Sequence, residues 1–91
     1  MQSDSRQAEQ SKIIMYSTDW CPDCWRAKKV FEAMGVAYHE VKLSHKNPDA
    51  VAIVERINRG NHSVPTIVFP DGSTLTEPRT AELSAKLSAM M

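Results

Sequence analysis

The sequence predicts an α/β domain: one mixed sheet of four strands, flanked by helices, in the order β-α-β-α-β-β-α. Three observations lead there. Short apolar runs of strand length alternate with stretches in which apolar residues recur at helical spacing. The opening strand, helix and strand demand a parallel pair joined by a crossover. A "PDG" turn between the last two strands makes an antiparallel hairpin, so the sheet is mixed.

The run "KIIMYS" (residues 12–17) suits a buried central strand, and the cysteine motif follows it directly. Beyond the motif, Ala27, Val30, Phe31 and Met34 fall at i, i+3, i+4 and i+7, one face of a helix. Gly35 is placed to end it, because glycine takes the left-handed C′ conformation at little cost. In "AYHEVKL" (37–43), Tyr38, Glu40 and Lys42 alternate with His39, Val41 and Leu43, a second strand of mixed exposure. Asn47 is the expected cap of the next helix, with Pro48 at its first position. Ala50, Ile53, Val54 and Ile57 form its apolar face, and Gly60 is expected to end it. "TIVF" (66–69) is the third strand. "PDGS" (70–73) is a turn in which Gly72 is free to take positive φ. "TLT" (74–76) is the fourth strand, and a last helix over about residues 80–90 packs through Leu83, Leu87 and Met90.

At 91 residues the chain fits one domain and is too short for two. Residues 12–91 are expected to form it, after a disordered polar tail, "MQSDSRQAEQS" (1–11). Lys+Arg 11 cancels Asp+Glu 11, so charge announces neither a nucleic-acid nor a membrane partner. The tail lacks the apolar run of a signal peptide, and no later segment is long enough to span a bilayer. The expected compartment is the cytoplasm. Thiols are kept reduced there, so a close cysteine pair reads as catalytic or metal-bound rather than structural. Two cysteines are also too few for a disulfide scaffold.

Both cysteines lie in "DWCPDCW" (19–25). Pro22 suits the first helical position, which makes Cys21 the N-cap. The free N–H groups of Asp23 and Cys24 would then point toward its sulfur, and the helix dipole would add to their effect. An ordinary thiol, with a pKa of about 8.5, is only a few per cent thiolate near neutrality, so this stabilisation makes Cys21 the nucleophile. Cys24 lies one turn inward on the buried side, close enough to form a disulfide, and is the resolving thiol. The Asp23 carboxylate opposes ionisation of Cys21, and Arg26, Lys28 and Lys29 partly offset it.

Cys21-x2-Cys24-x14-His39-x5-His45 also falls within the loose spacing of a Cys2His2 zinc site. The context argues against it. A zinc finger needs a hairpin at the cysteines and a helix carrying both histidines, whereas here the helix lies between the two pairs. No metal ligand is assigned, and His39, His45 and His62 read as surface or edge histidines.

With these residues in place, the chain resembles the glutaredoxin branch of the thioredoxin fold. "WCPDC" resembles the "CPYC" site of dithiol glutaredoxins, and "SVPT" (63–66) resembles their "TVP" segment. The resemblance implies a cis Val64–Pro65 bond and a Val64 backbone that pairs with the incoming substrate. "INRGNHSVPTIVFPDGSTLTEP" (57–78) is similar to the same stretch of mycoredoxins and related short glutaredoxin-like proteins. The likeness covers about residues 12–87. It implies reduction of mixed disulfides between proteins and a low-molecular-weight thiol, by thiol–disulfide exchange at Cys21 and Cys24. It also implies that the small thiol is a co-substrate and that no cofactor is bound. Trp20, Val64 and Pro65 would floor the groove. Thr76 and Glu77 would either meet the small thiol or serve as helix-capping polarity.

The departures from the family pattern bear on which thiol is used. Thr18 stands where glutathione-using members carry a lysine, and "STLTEP" stands where they carry "GG" and an acidic pair. The usual grips on glutathione's carboxylates are missing, which points to mycothiol or bacillithiol. Asp23 replaces the family's usual tyrosine, and "WCPDC" also occurs in thioredoxin-related proteins, which leaves open recycling by a flavoprotein reductase. Another class of function is open too: glutaredoxins can share an iron–sulfur cluster between two subunits through the first cysteine and a bound thiol.

Overall fold

The computed structural model describes residues 12–91, and the stretch read as a tail lies outside them. The elements follow in the expected order: β1 (Ile14–Ser17), α1 (Pro22–Met34), β2 (His39–Lys42), α2 (Pro48–Ile57), β3 (Thr66–Val68), β4 (Thr74–Thr76) and α3 (Thr80–Met90). They build one four-stranded sheet in the order β2-β1-β3-β4. β1 runs parallel to β2 and antiparallel to β3, and β4 returns antiparallel to β3. The mixed sheet with helices on its faces is therefore present.

The layering follows from side-chain alternation along β1. Ile13 and Met15 face one way and pack with Ala27, Val30 and Phe31 of α1 and Leu83 and Leu87 of α3. Tyr16 faces the other way and packs with Ala50 and Val54 of α2. β1 is thus covered on both faces, which is why it reads as an unbroken apolar run. Phe31, Met15 and Ile67 are fully buried, each contributing about 1.5–3 kcal/mol of transfer free energy. Phe31 also stacks on Tyr38, centroid to centroid 4.4 Å.

α1 begins and ends where proline and glycine place it. Pro22 opens it, and Gly35 closes it at φ 67°, with the Val36 amide donating to the Phe31 carbonyl at 3.0 Å. Gly72 takes φ 89° in the turn between β3 and β4, where Asp71 accepts from the Ser73 amide at 2.9 Å.

Four expectations change. The strands are shorter than the apolar runs: Phe69 leaves the ladder, its amide donating to the Ser73 carbonyl at 2.9 Å to close the turn. Asn47 stands at the cap position of α2 but makes no side-chain cap bond, because its amide turns back to the Lys42 carbonyl at 3.3 Å. α2 ends at Ile57 with Asn58 as its C-cap, ahead of Gly60. Arg59 takes the left-handed position at φ 56°, Gly60 follows at φ 98°, and the Gly60 amide donates to the Glu55 carbonyl at 2.7 Å. Met90 stays exposed at the end of α3, one turn beyond the buried Leu87.

Candidate active site

The cysteine motif sits where β1 passes into α1. Cys21 is extended (φ −143°, ψ 95°), and its sulfur accepts from the Cys24 amide at 3.0 Å. Its Sγ is bonded to that of Cys24, with the Cα atoms 5.1 Å apart. Cys24 is fully buried, whereas Cys21 keeps 5 % of its surface. The N-cap geometry read from Pro22 is present, and Cys21 is the less buried of the two cysteines.

The segment before β3 forms the facing wall. Val64–Pro65 is cis, and the Val64 carbonyl oxygen lies 3.8 Å from the Cys21 sulfur. Pro65 is buried and Val64 half-buried. The Glu77 amide donates to the Pro65 carbonyl at 2.8 Å, which ties the end of β4 to this wall. Glu77 itself is exposed and takes φ 50°. Thr76 is exposed, and its hydroxyl donates to Asn58 Oδ1 at 2.7 Å. Thr76 and Glu77 thus border Pro65 through the backbone, and the Thr76 proton is engaged by Asn58.

Thr18 lies on the other flank. It lines a cleft of about 410 Å³ with Leu43, Ser44, His45, Val51 and His62. Beside it the Asp19 carboxylate accepts from Lys42 at 2.7 Å, and that hydrogen bond holds its carboxyl below the usual range. Trp20 is 86 % exposed beside Cys21. Trp25, which the sequence reading did not single out, is 44 % exposed and meets Trp20 edge-on, 6.2 Å between centroids. Its signal was its place just after Cys24, off the apolar face of α1.

Of the cations expected to offset Asp23, Arg26 pairs with it at 2.8 Å. Lys28 turns toward the sheet and pairs with Glu40 at 2.8 Å, so it offsets Glu40 rather than Asp23. The fully buried Ser17 donates to the same carboxylate at 2.6 Å. Burial pushes the Glu40 carboxyl up, but the hydrogen bonds from Lys28 and Ser17 outweigh it and hold the group below its ordinary value. His39 lies on β2 and His45 beyond it; among the described residues no three His, Cys, Asp or Glu side chains gather in a metal-holding group.

Comparison with known proteins decides the family. The glutaredoxin family model matches residues 13–73. The chain belongs to the glutaredoxin family. It is 45 % identical over 75 residues to a protein of Mycobacterium tuberculosis named as a glutaredoxin, covering 82 % of this chain and 88 % of that one. It is 35 % identical over 80 residues to Mycoredoxin 1 of Corynebacterium glutamicum, covering 88 % of this chain and 98 % of that one. The crystal structure of a glutaredoxin from Methanosarcina mazei superposes with a TM-score of 0.72 at 29 % identity, over 86 % of this chain and 79 % of that one. As a family member the chain is a thiol–disulfide oxidoreductase with a Cys21–Cys24 pair. Glutaredoxins typically work with a low-molecular-weight thiol as co-substrate, without a bound cofactor, on disulfide-bearing client proteins. Among the described residues no helix is long and apolar enough to cross a membrane.

Proposed function

We propose that this protein reduces mixed disulfides between cytoplasmic proteins and a low-molecular-weight thiol, and that the thiol is mycothiol or bacillithiol rather than glutathione. The observation that carries the reading is the asymmetry of the pair: Cys24 is fully buried, while Cys21 faces Val64 with an α1 amide at its sulfur. An incoming disulfide meets Cys21 first.

The Cys21 thiolate attacks the small-thiol sulfur of the mixed disulfide. The new bond is Cys21–S–S–R, and the client leaves as a thiolate that takes up a proton. A second small thiolate then attacks the sulfur that carries R, breaking its bond to the Cys21 sulfur, releasing R–S–S–R and regenerating the Cys21 thiolate. In the other route Cys24 attacks Cys21, expelling the small thiol and leaving the Cys21–Cys24 disulfide, which two small thiols or a reductase dithiol must reduce. Pro22 and Asp23 shape the N-terminus of α1. Val64 and Pro65 floor the groove, Trp20, which was expected on the floor, stands exposed at its rim, and Thr18, Thr76 and Glu77 are its small-thiol contacts. The choice of thiol is supported by Thr18, which offers no charge to a carboxylate, and by the similarity to Mycoredoxin 1.

The test is intact mass of reduced Cys24→Ser protein after separate mixing with oxidised mycothiol, bacillithiol and glutathione. The expected result is a rapid single adduct with one of the first two, released by the matching free thiol. An adduct with glutathione alone overturns the choice of thiol. No adduct with any of the three overturns the small-thiol route and turns the reading to a dithiol protein served by a flavoprotein reductase.

A further inference from the structure

Residues 63–65, which face Cys21, belong to no regular element. Besides the Glu77 amide at the Pro65 carbonyl, a chain of hydrogen bonds centred on Asn58 holds them. The Asn58 amide donates from Nδ2 to the Val54 carbonyl at 3.0 Å, which anchors it to the last turn of α2, and to Thr66 Oγ1, also at 3.0 Å. The Thr66 hydroxyl donates onward to the Ser63 carbonyl at 2.8 Å. On its other side Asn58 Oδ1 accepts from the Thr76 hydroxyl at 2.7 Å. Thr66 and Thr76 are direct cross-strand partners and so share a face of the sheet, which lets one amide bridge both. Thr66 is fully buried, so its hydroxyl has no water to turn to. The proton directions are mutually consistent: Thr76 gives to Asn58, Asn58 to Thr66, and Thr66 to Ser63.

We propose that Asn58 is a positioning residue for the exchange reaction, holding residues 63–65 through Thr66 so that the Val64 carbonyl stands at the approach to the Cys21 sulfur. The inference rests on Cys21 being the attacking thiolate. In-line attack on a disulfide is sensitive to placement, since a displacement of about 1 Å costs up to about a hundredfold in rate. Without the Asn58 donor, Thr66 Oγ1 loses its bond from the end of α2, and the wall loses its side-chain tie to that helix. The amide donor at the Cys21 sulfur comes from α1 and does not depend on Asn58.

The experiment uses pre-reduced full-length protein, as parent and as Asn58→Ala, Thr66→Val and the double variant. Each is mixed with excess hydroxyethyl disulfide in a single turnover: the protein dithiol becomes the Cys21–Cys24 disulfide and two hydroxyethyl thiols leave. In parallel, Cys21 is alkylated with iodoacetamide, a small electrophile that needs no groove. Exchange is expected to fall about tenfold in each single variant and no further in the double, with alkylation unchanged within about twofold. Exchange at the parent rate overturns the proposal, as do equal losses in exchange and alkylation, or single effects that multiply. Should Asn58→Ala lose its cooperative melt, Thr66→Val decides alone, since it removes only the hydroxyl that links Asn58 to Ser63. A parent that does not exchange overturns the oxidoreductase reading and this inference with it; an active parent matched by its variants overturns the inference alone.

Discussion

The backbone amide of Cys24 donates to the sulfur of Cys21 across 3.0 Å. Charge on that sulfur therefore gains a hydrogen bond and lies at the positive end of α1. Thiolate character at Cys21 should be high, and alkylation of the reduced Cys24→Ser protein as a function of pH measures it. The midpoint should lie well below that of an ordinary thiol. Cys24 in the Cys21→Ser protein should react much more slowly, since it is fully buried. Equal rates for the two would reverse their roles.

The Asp23 carboxylate is neutralised by Arg26 at 2.8 Å, both side chains partly exposed. Removing the cation in Arg26→Ala leaves a bare negative charge beside Cys21, and alkylation at neutral pH should slow about two- to fivefold. Asp23→Asn should shift it the other way, and added salt should shrink both effects. Salt-independent changes would point to a backbone shift instead.

Trp20 stands exposed beside Cys21 with Trp25 against its edge. A protein client covers more of this ridge than a small disulfide does. Trp20→Ala should therefore raise KM for an S-thiolated protein about fivefold or more, leaving the rate with hydroxyethyl disulfide nearly unchanged. The comparison of the two substrates is the measurement, and equal losses on both would make Trp20 part of the small-thiol site.

Glu40 carries a pH signature in stability. Its carboxyl ionises more readily in the fold than in the unfolded chain. The stability this gives is present above the unfolded value and is lost as pH falls through the lower folded value. Lys28→Met removes the largest source of that depression. Denaturant melts should show a gap between parent and variant that is widest near neutrality and narrows in acid. A gap constant with pH would assign the loss to packing of the lysine stem.

Phe31 fills the core between α1, the sheet and α3, with no exposed surface. Phe31→Ala should cost about 3–5 kcal/mol. Against a total of about 5–15 kcal/mol for a domain, that loss is large, and the thermal midpoint should drop steeply.

The element order and the caps of α1 were legible in the sequence because each rests on local chemistry. Pro22 and Gly35 mark the two ends of α1, and Cys21 is at its N-terminus for the same reason. The cis bond at Val64–Pro65 was legible only through the family likeness. What escaped was set by residues distant along the chain. Asn58 meets Thr66 and Thr76 only once β3 and β4 pair, and nothing in "INRGNHS" announces it. Ser17 reads as the polar end of an apolar strand, yet it is fully buried because Glu40 arrives from β2 to accept its proton. Gly60 does close the end of α2 at φ 98°, but the helix stops earlier, because Asn58 is its C-cap and Arg59 is already left-handed.

Cys21 is joined by a short loop to β1, the strand enclosed on both faces and paired on both edges. Amide hydrogens of Met15 and Tyr16 should exchange with solvent deuterium only through global unfolding, whereas those of the edge strand β4 should exchange by local fraying. Cys21 is thus anchored to the strand expected to open last. The wall across from it leans partly on β4, through the Glu77 amide at Pro65, a part that opens earlier. Fraying there would loosen the wall at Val64 while Cys21 keeps its place, and on the proposed function that gives a bulky client room to reach the sulfur.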